Sequence, residues 1–479
     1  MSLDNGPPAR STVLTLLGYG LMIGATVALF FAIRSYGETL VAPGPAAREA
    51  AAKAATAASH PLLHLLVALS AVILLGRILA GLFAYLRQPP VIGEVLAGIC
   101  LGPSLLGQVA PDLSRFVLPD SVAPSLSVVA QIGVILYMFV VGLELNAGIL
   151  RKQGHVTLAI SHASIMVPFS LGAALALWLY PLLSNDNVSF TAFALFLSVS
   201  MSITAFPVLA RILTDRGMHK TDLGVMALAC AAIDDVSAWC LLALVVGVVH
   251  SQLYDAAWVA VLTVGYIGLM FAVMRPAVAR IVPRWCPAGL TPSATAVLLV
   301  GVLLSALATE AIGIHAIFGA FLFGAIIPHD SKVASELAEK LTGLVTTLLL
   351  PAFFAFTGMR TQIGLVSGSQ QWLVCLAIIA VATLGKFGGT LGAARAMGLP
   401  WRDSASLGVL MNTRGLMELI VLNIGLDLGV ISPTLFAMMV LMAIVTTVAT
   451  SPILHALIPD PAALPGPPER ARPEIARSR

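Results

Sequence analysis

The amino-acid sequence predicts an all-α, polytopic membrane protein with about 14 transmembrane helices. Hydrophobic residues make up 58% of the chain, charged residues make up only 10%, and the mean hydropathy is +0.97. This balance lies far outside that of soluble domains. The second observation is a succession of apolar runs of about 20 residues, each long enough to cross a ~30 Å hydrocarbon core as an α-helix.

The apolar runs follow one another from the N-terminus almost to the end of the chain, and we mark fourteen of them. The runs at 91–107 and 313–328 are the shortest. The predicted segments are 11–33, 61–86, 91–107, 125–145, 154–180, 188–213, 222–250, 256–274, 291–311, 313–328, 341–359, 371–398, 404–425 and 431–457.

The charges of the connecting loops test this segment count. With fourteen segments, one set of alternate loops carries 13 lysines and arginines, and the other set carries 5. Basic residues collect on the cytoplasmic side of membrane proteins, and an error of one helix would scramble the asymmetry. The loops therefore predict that both termini are cytoplasmic, and we expect the chain to lie in the plasma (inner) membrane.

Three regions follow from these segments. Residues 1–59 are predicted to form an extra N-terminal transmembrane helix and an external Ala-rich linker at 45–59. A signal peptide is the alternative reading of the first run, although its apolar core exceeds the ~7–15 residues usual for signal peptides. Residues 60–459 form the main transmembrane domain. The Pro- and Arg-rich residues 460–479 are predicted to be a disordered cytoplasmic tail.

Charge and cysteine content exclude several classes of function. A net charge of +3 is too small to indicate nucleic-acid binding. The apolar composition instead makes membrane lipid the expected surrounding. The five cysteines are widely spaced without a CxxC motif, so we expect neither disulfides nor zinc. No GxGxxG motif follows a predicted strand, and we expect no cofactor.

Two adjacent carboxylates, Asp234 and Asp235, lie inside an otherwise apolar segment. One charged side chain at the bilayer centre costs roughly 2.5–3.5 kcal/mol, so such a pair is tolerated only where a counter-charge, water or a bound ion meets it. A structural ion pair buried among helices is one interpretation. An ion-binding or proton-binding site in the membrane is the other.

Lys386 is the natural counter-charge for one of these carboxylates. It lies well inside a later segment, and its flanking glycines allow another backbone to approach closely. Adjacent residues on an α-helix project about 100° apart, so Asp234 and Asp235 cannot share one direction. One carboxylate can therefore face Lys386 while the other faces an aqueous cavity, where it takes either a proton or a metal cation.

Two segments have the composition of interrupted helices. Proline, glycine and polar side chains in mid-membrane free backbone groups, and paired broken helices in two halves of a chain indicate a transporter site. The two are the sixth and thirteenth segments, so an odd number of spans separates them and the two copies have inverted topology. Their polar or helix-breaking residues are Ser202, Thr204 and Pro207 in the first, and Asn412, Thr413, Arg414 and Glu418 in the second.

From about residue 59 to 458 the chain resembles the monovalent cation:proton antiporters, in the branch of the plant cation/proton exchangers and the bacterial Kef-like and sodium/proton antiporters. Six blocks in the same order carry the resemblance: RQPPVIGE at 87–94, LGPS at 101–104, GLEL at 142–145, SITAFPVLAR at 202–211, the Asp234–Asp235 pair, and MNTRGLMEL at 411–419.

The resemblance implies a sodium/proton antiporter-like fold with inverted repeats, two crossed broken helices and an elevator-like moving core. It also implies a separate dimerisation domain, and hence a homodimer. By position, Asp235 matches the aspartate that binds the transported cation and proton, and Asp234 matches the one that pairs with a lysine, here Lys386. Thr204 matches a polar residue near the ion. The chain departs from the pattern in its extra N-terminal span and in lacking the large cytoplasmic domain of Kef channels and plant exchangers.

We therefore expect a secondary antiporter, not an enzyme, that exchanges Na⁺ or K⁺ for protons competing at Asp235. Both cations need oxygen ligands in a cavity whose size is a three-dimensional property. A symporter or channel-like transporter of the same fold and a non-transporting membrane sensor are the alternatives. An intramembrane aspartyl protease needs two carboxylates that face each other from separate helices, which adjacency on one helix disfavours.

Overall fold

The computed structural model of the chain describes residues 9–40, 61–144, 155–219, 221–250, 253–285, 289–328 and 331–458. Throughout these ranges the regular structure is helical and contains no β-strand, as the sequence predicts. The predicted linker at 45–59 and the predicted tail at 460–479 lie outside the described residues.

Local sequence signals start several helices. Ser189, Thr291, Ser331 and Ser432 each accept a hydrogen bond from the backbone N–H three residues later, the usual arrangement of an N-cap.

Short helical turns occur at 106–117, 120–122 and 363–365. The longer helices are α1 (Ala9–Gly37), α2 (Pro61–Tyr85), α3 (Pro90–Leu101), α4 (Ala123–Glu144), α5 (His155–Leu183), α6 (Phe190–Ser202), α7 (Phe206–Asp215), α8 (Asp222–His250), α9 (Leu253–Leu269), α10 (Arg275–Trp285), α11 (Pro292–Ile312), α12 (Ala316–Ile326), α13 (Lys332–Leu344), α14 (Leu350–Arg360), α15 (Gly368–Thr383), α16 (Gly389–Ala396), α17 (Trp401–Met411), α18 (Leu416–Asp427) and α19 (Pro433–Leu457).

Three of these connections are π-helical turns within continuous helices: Met270–Met274 joins α9 to α10, Val345–Leu349 joins α13 to α14, and Leu384–Gly388 joins α15 to α16. A π turn inserts one extra residue per turn and is often found at functional sites. The third turn contains Lys386.

The number of membrane spans is slightly below the predicted fourteen. Among the described residues, 12 helical stretches are long and apolar enough to cross a membrane, and α17 with α18, bent by 43°, brings the number to 13. The remaining predicted segment, 313–328, is α12, an apolar helix of only 11 residues. Each predicted run nevertheless coincides with a helix, because membrane spans are encoded by local apolar composition.

The helices pack as two groups. The first, which we call the scaffold bundle, comprises α2, α3, α4 and α11–α14. Glycines bring its helices together: a Cβ on Gly98 of α3 would lie 2.0 Å from the backbone of Phe354 in α14, and a Cβ on Gly142 of α4 would lie 2.3 Å from that of Phe321 in α12. Small residues at such crossings are typical of helix packing in membranes.

The second group, which we call the site bundle, comprises α5–α8 and α15–α19. The extra N-terminal helix α1 packs against this group, where the rings of Phe30 and Phe169 lie 6.0 Å apart. Just beyond α1, the carboxylate of Glu38 accepts a hydrogen bond of 3.0 Å from the hydroxyl of Thr191 at the start of α6. Helices α9 and α10 connect the two groups along the chain, and the predicted site residues Asp234, Asp235, Lys386, Arg414 and Glu418 all belong to the site bundle.

Candidate ion-binding site

Asp234 is enclosed by hydrogen-bond donors in the middle of α8 and is fully buried. Ser161 Oγ donates to its Oδ1 at 2.5 Å, and Ser164 Oγ donates to its Oδ2 at 2.6 Å. Lys386 Nζ donates to the same Oδ2 at 2.9 Å, and Thr204 Oγ1 lies 3.0 Å from it. A buried carboxylate with this many donors is compensated by the protein itself, as buried charge requires.

Lys386 reaches Asp234 because α15 and α16 lie very close to α5. A Cβ on Gly385 would lie 2.8 Å from Cα of Pro168 in α5, so no side chain fits there. From the π turn, the fully buried Lys386 also donates to Thr204 Oγ1 at 2.6 Å. Lysine, aspartate and threonine thus form one polar cluster that joins α15, α8 and the break between α6 and α7.

Asp235 has a different environment, although it is only 4% exposed. Its Oδ1 is buried and accepts no hydrogen bond from any described residue. The backbone N–H of Phe206, at the start of α7, faces its carboxylate. A very small cavity of about 10 Å³ adjoins it, bounded by Trp239 on the same helix and Met417 and Val421 on α18. Asp235 is therefore the carboxylate with free acceptor capacity.

The two interrupted helices cross beside this pair. The break between α6 and α7 covers residues 203–205, and the break between α17 and α18 covers residues 412–415. Ala205 N donates to Thr413 O at 3.0 Å, and Thr204 Oγ1 lies 3.0 Å from Met411 O. Backbone groups that the breaks release are thus satisfied by the other break, as they must be where no bulk water reaches them.

Arg414 fastens the crossing from the other side and is fully buried. Its guanidinium donates to Ser200 O at 2.9 Å and to Met201 O at 2.7 Å. These carbonyls lie at the end of α6, where the helix itself provides no donor for them. Arg414 also pairs with Glu418 one turn later, at 2.8 Å. A cation at the carbonyl end of α6 and a carboxylate in the first turn of α18 both complement the helix dipoles.

The remaining predicted residues serve the broken helices without facing the carboxylates. Ser202 Oγ donates to Ser198 O and Ile165 O, and thereby packs α6 on α5. Pro207 occupies the first turn of α7, where proline costs no hydrogen bond. Thr413 provides the backbone carbonyl for the crossing. The amide of Asn412 faces a different cavity, between α15 and α19.

Ser161 and Ser164 are site residues that the sequence analysis missed. They lie one turn apart in an apolar helix, so their spacing places both hydroxyls on one helix face. This spacing was available in the sequence. It is a weak signal, however, because serines within membrane helices usually bond to their own backbone.

The scaffold bundle and the site bundle are also joined by polar contacts at the end of α14. The Arg360 guanidinium pairs with Asp427 and donates to Asn423 Oδ1 at 3.2 Å, both on α18. Asn423 Nδ2 in turn donates to Thr357 Oγ1 at 2.9 Å. These contacts lie on the side that the loop charges assign to the exterior, opposite the end of α7 and the start of α17.

Crossed, interrupted helices that meet at buried charges halfway through a membrane define the architecture of secondary transporters. Residues 68–457 match the family described as "Sodium/hydrogen exchanger, transmembrane", and the chain belongs to that family. The resemblance to the monovalent cation:proton antiporters seen in the sequence is thereby confirmed.

Curated relatives agree with this assignment. The chain is 45% identical over 407 residues to "Na(+)/H(+) antiporter NhaS4" of Synechocystis sp., covering 84% of this chain and 99% of that protein. It is 41% identical to "Cation/H(+) antiporter 18" of Arabidopsis thaliana and 33% identical to "K(+)/H(+) antiporter 1" of Saccharomyces cerevisiae, covering 81% and 84% of this chain. The chain spans about half the length of these two, 48% and 47% respectively.

The fold also matches a solved structure. The sodium proton antiporter MjNhaP1 from Methanocaldococcus jannaschii superposes with a TM-score of 0.61 at 16% sequence identity, over 83% of this chain and 97% of that one. At this identity the match shows the fold, and it confirms the predicted antiporter-like architecture.

Proposed function

We propose that the protein is a secondary active antiporter that exchanges a monovalent cation, Na⁺ or K⁺, for protons by alternating access. We further propose that cation and proton compete for the carboxylate of Asp235. The observation that carries this proposal is the contrast between the two aspartates. Donors surround Asp234, whereas Asp235 keeps an unshared oxygen beside a cavity.

Competition follows from the chemistry of one carboxylate. A proton on Asp235 removes the negative charge that an alkali cation needs, and a bound cation occupies the oxygen that a proton would take. In either loaded form Asp235 is neutralised, while the pair of Asp234 and Lys386 is already neutral. The unloaded form alone leaves an uncompensated charge in a medium of low dielectric constant.

This difference couples the two ions. Moving an uncompensated carboxylate through the membrane centre costs roughly 2.5–3.5 kcal/mol or more, so the unloaded site changes sides rarely. The transporter therefore returns only with a proton or a cation on Asp235, which makes the movement an exchange. The broken helices supply backbone carbonyls and N–H groups near the ion, and their crossing lets the site bundle move as one unit against the scaffold bundle.

The names of the relatives support both Na⁺ and K⁺ as candidate substrates. We propose in addition a homodimer in the plasma (inner) membrane with cytoplasmic termini. The loop charges support the orientation. The dimer rests on the family resemblance together with the exposed apolar face of α2, which includes Leu66, Leu74 and Ile78.

Proton movement in everted membrane vesicles tests the proposal. Addition of Na⁺ or K⁺ should dissipate a preformed pH gradient with the native protein, and Asp235→Asn should abolish this response while the protein still inserts. Asp222→Asn, which neutralises an exposed carboxylate at the start of the same helix, serves as the matched control and should keep native exchange. Native exchange by Asp235→Asn would refute the proposal, and a cation-dependent increase of the gradient would indicate symport instead.

A further inference from the structure

A groove runs along the outer surface of the site bundle, on the opposite side of α17 from the aspartates. Its walls are α15 and α19, and α17 forms its floor. Ile379 and Phe387 line it from one wall and Ala449 and Ile453 from the other, with Val409 on the floor. The groove has a volume of about 290 Å³, close to the lower end of the roughly 300–1,000 Å³ range of ligand-binding cavities.

The lining of the groove is more apolar than the threonines among its residues suggest. The hydroxyls of Thr446 and Thr450 donate back to Met442 O and Thr446 O on their own helix, so their methyl groups are left to face the groove. At the deep end lies Asn412 Oδ1, a buried acceptor with no hydrogen bond from a described residue. An apolar channel with a single polar group at one end suits a chain-like apolar ligand.

The groove lies in one half of the membrane. Its lining begins at Ile379, near the middle of the continuous helix Gly368–Ala396, and ends at Phe387, about 12 Å further at 1.5 Å per residue. On α19 the lining ends at Ile453, one turn before Leu457, whose carbonyl oxygen accepts a hydrogen bond from Arg402 Nε. The groove therefore runs from mid-membrane toward the side that loop charges assign to the cytoplasm, and Arg402 lies about one turn beyond its end.

Two arginines and a tryptophan stand at this open end. Arg395 lies two turns beyond Phe387 in the same helical stretch, and Arg402 lies two turns from Val409 on the same face of α17. The Arg395 guanidinium lies 5.3 Å from the ring centre of Trp401, which is 65% exposed. Tryptophan at this depth is typical of the membrane interface.

The arginines keep donors for a ligand. Arg402 Nε donates to Leu457 O at 2.5 Å, and one terminal nitrogen of Arg395 donates to Leu399 O. A guanidinium carries five N–H donors, so each arginine has four further donors beyond the bond named. Within the described turn at 395–403, Asp403 is the one negative charge beside Arg395 and Arg402, so this turn is net positive.

We propose that this groove binds one anionic phospholipid, with an acyl chain along α15, α17 and α19 and the phosphate at Arg395 and Arg402. The apolar channel accounts for the chain, and the net positive mouth selects an anionic headgroup over a zwitterionic one. The lipid would contact Phe387, the residue after Lys386, and Asn412, the residue before the crossing. A bound lipid would therefore contact the two elements that hold the proposed ion site. Lipid binding itself does not depend on transport.

The test compares lipids with identical acyl chains on the purified full-length protein in detergent. Phosphatidylglycerol should raise the midpoint of thermal unfolding more than phosphatidylcholine, and native mass spectrometry should show one retained phosphatidylglycerol. The double variant Arg395→Gln/Arg402→Gln should bind phosphatidylglycerol about thirty-fold more weakly. The matched control Arg280→Gln/Arg284→Gln removes two exposed arginines from the same membrane side, on α10, and should bind as the native protein does.

Ala449→Phe provides a second variant, which fills the groove while leaving both arginines in place. It should abolish retention of the lipid. The proposal is overturned if phosphatidylcholine stabilises as well as phosphatidylglycerol, if Ala449→Phe retains the lipid, or if the two double variants lose affinity equally, which would indicate general attraction to a basic surface.

Discussion

Removal of the Lys386 charge is the perturbation for which the structure defines the cost most closely. Lys386 and Asp234 are both fully buried, and Nζ lies 2.9 Å from Oδ2. Breaking such a pair by removing one partner costs about 3–5 kcal/mol, because the other charge is left uncompensated. For Lys386→Met the expected cost lies near the lower end of this range, about 3 kcal/mol. The hydroxyls of Ser161, Ser164 and Thr204 still donate to Asp234.

The size of the shift in thermal unfolding follows from chain length. An unfolding entropy of about 2.1 cal/mol/K per residue gives about 1 kcal/mol/K for 479 residues, so the midpoint should fall by about 3 °C. The double variant Asp234→Leu/Lys386→Met removes both charges, and it should recover most or all of this loss because replacing a whole buried pair by apolar residues is often neutral or stabilising.

The assay is thermal unfolding of the native protein and of the single and double variants in one detergent and at one lipid content. Asp234→Leu alone completes the cycle, and it should be at least as unstable as Lys386→Met because it leaves a buried ammonium. The reasoning fails if Lys386→Met unfolds at the native midpoint. It also fails if the double variant is no more stable than the less stable single one, since the two charges would then not compensate each other.

Three further predictions concern other elements. Gly385→Ala should weaken exchange and stability because its Cβ would lie 2.8 Å from Pro168, whereas Gly388→Ala, with nothing within 4 Å, should be silent in the same vesicle and unfolding assays. Arg360→Gln should favour the externally open state, because Arg360 joins the two bundles through Asp427 and Asn423. The variant Val421→Cys should then react faster with an external thiol reagent when it also carries Arg360→Gln than when it keeps Arg360. An unchanged rate would contradict this role of Arg360. Hydrogen bonds from Arg34 and then Thr191 lower the pKa of Glu38 below 4.5, so its contribution to docking of α1 is present above that value and lost as the pH falls through the lowered pKa. The protection of α1's last turn against hydrogen exchange, relative to the intrinsic rate at each pH, should fall on acidification in that window, and Glu38→Gln should remove this change in protection.

The candidate ion site was predictable from sequence to the extent that its residues are costly to bury in a membrane. Asp234, Asp235 and Lys386 are conspicuous because charged residues are rare in membrane helices. Helix breaks are likewise visible as proline, glycine and hydroxyl residues, and the structure places both breaks where the sequence predicts them. Burying a serine such as Ser161 or Ser164 in a membrane helix costs little free energy. Composition therefore does not distinguish a serine that donates a hydrogen bond to a carboxylate from one that only packs.

The amino-acid sequence by itself determined that this is a polytopic helical membrane protein, where its spans lie and which buried charges need partners. These properties follow from local composition, because each span must satisfy the hydrocarbon core over its own ~20 residues. Only the tertiary structure decided which aspartate is enclosed and which is free, and that Asn412 faces a lateral groove instead of the ion. Those outcomes depend on distances of a few ångströms between residues 30 to 207 positions apart, such as Thr204 with Asp234 and with Met411, and helix packing alone sets them.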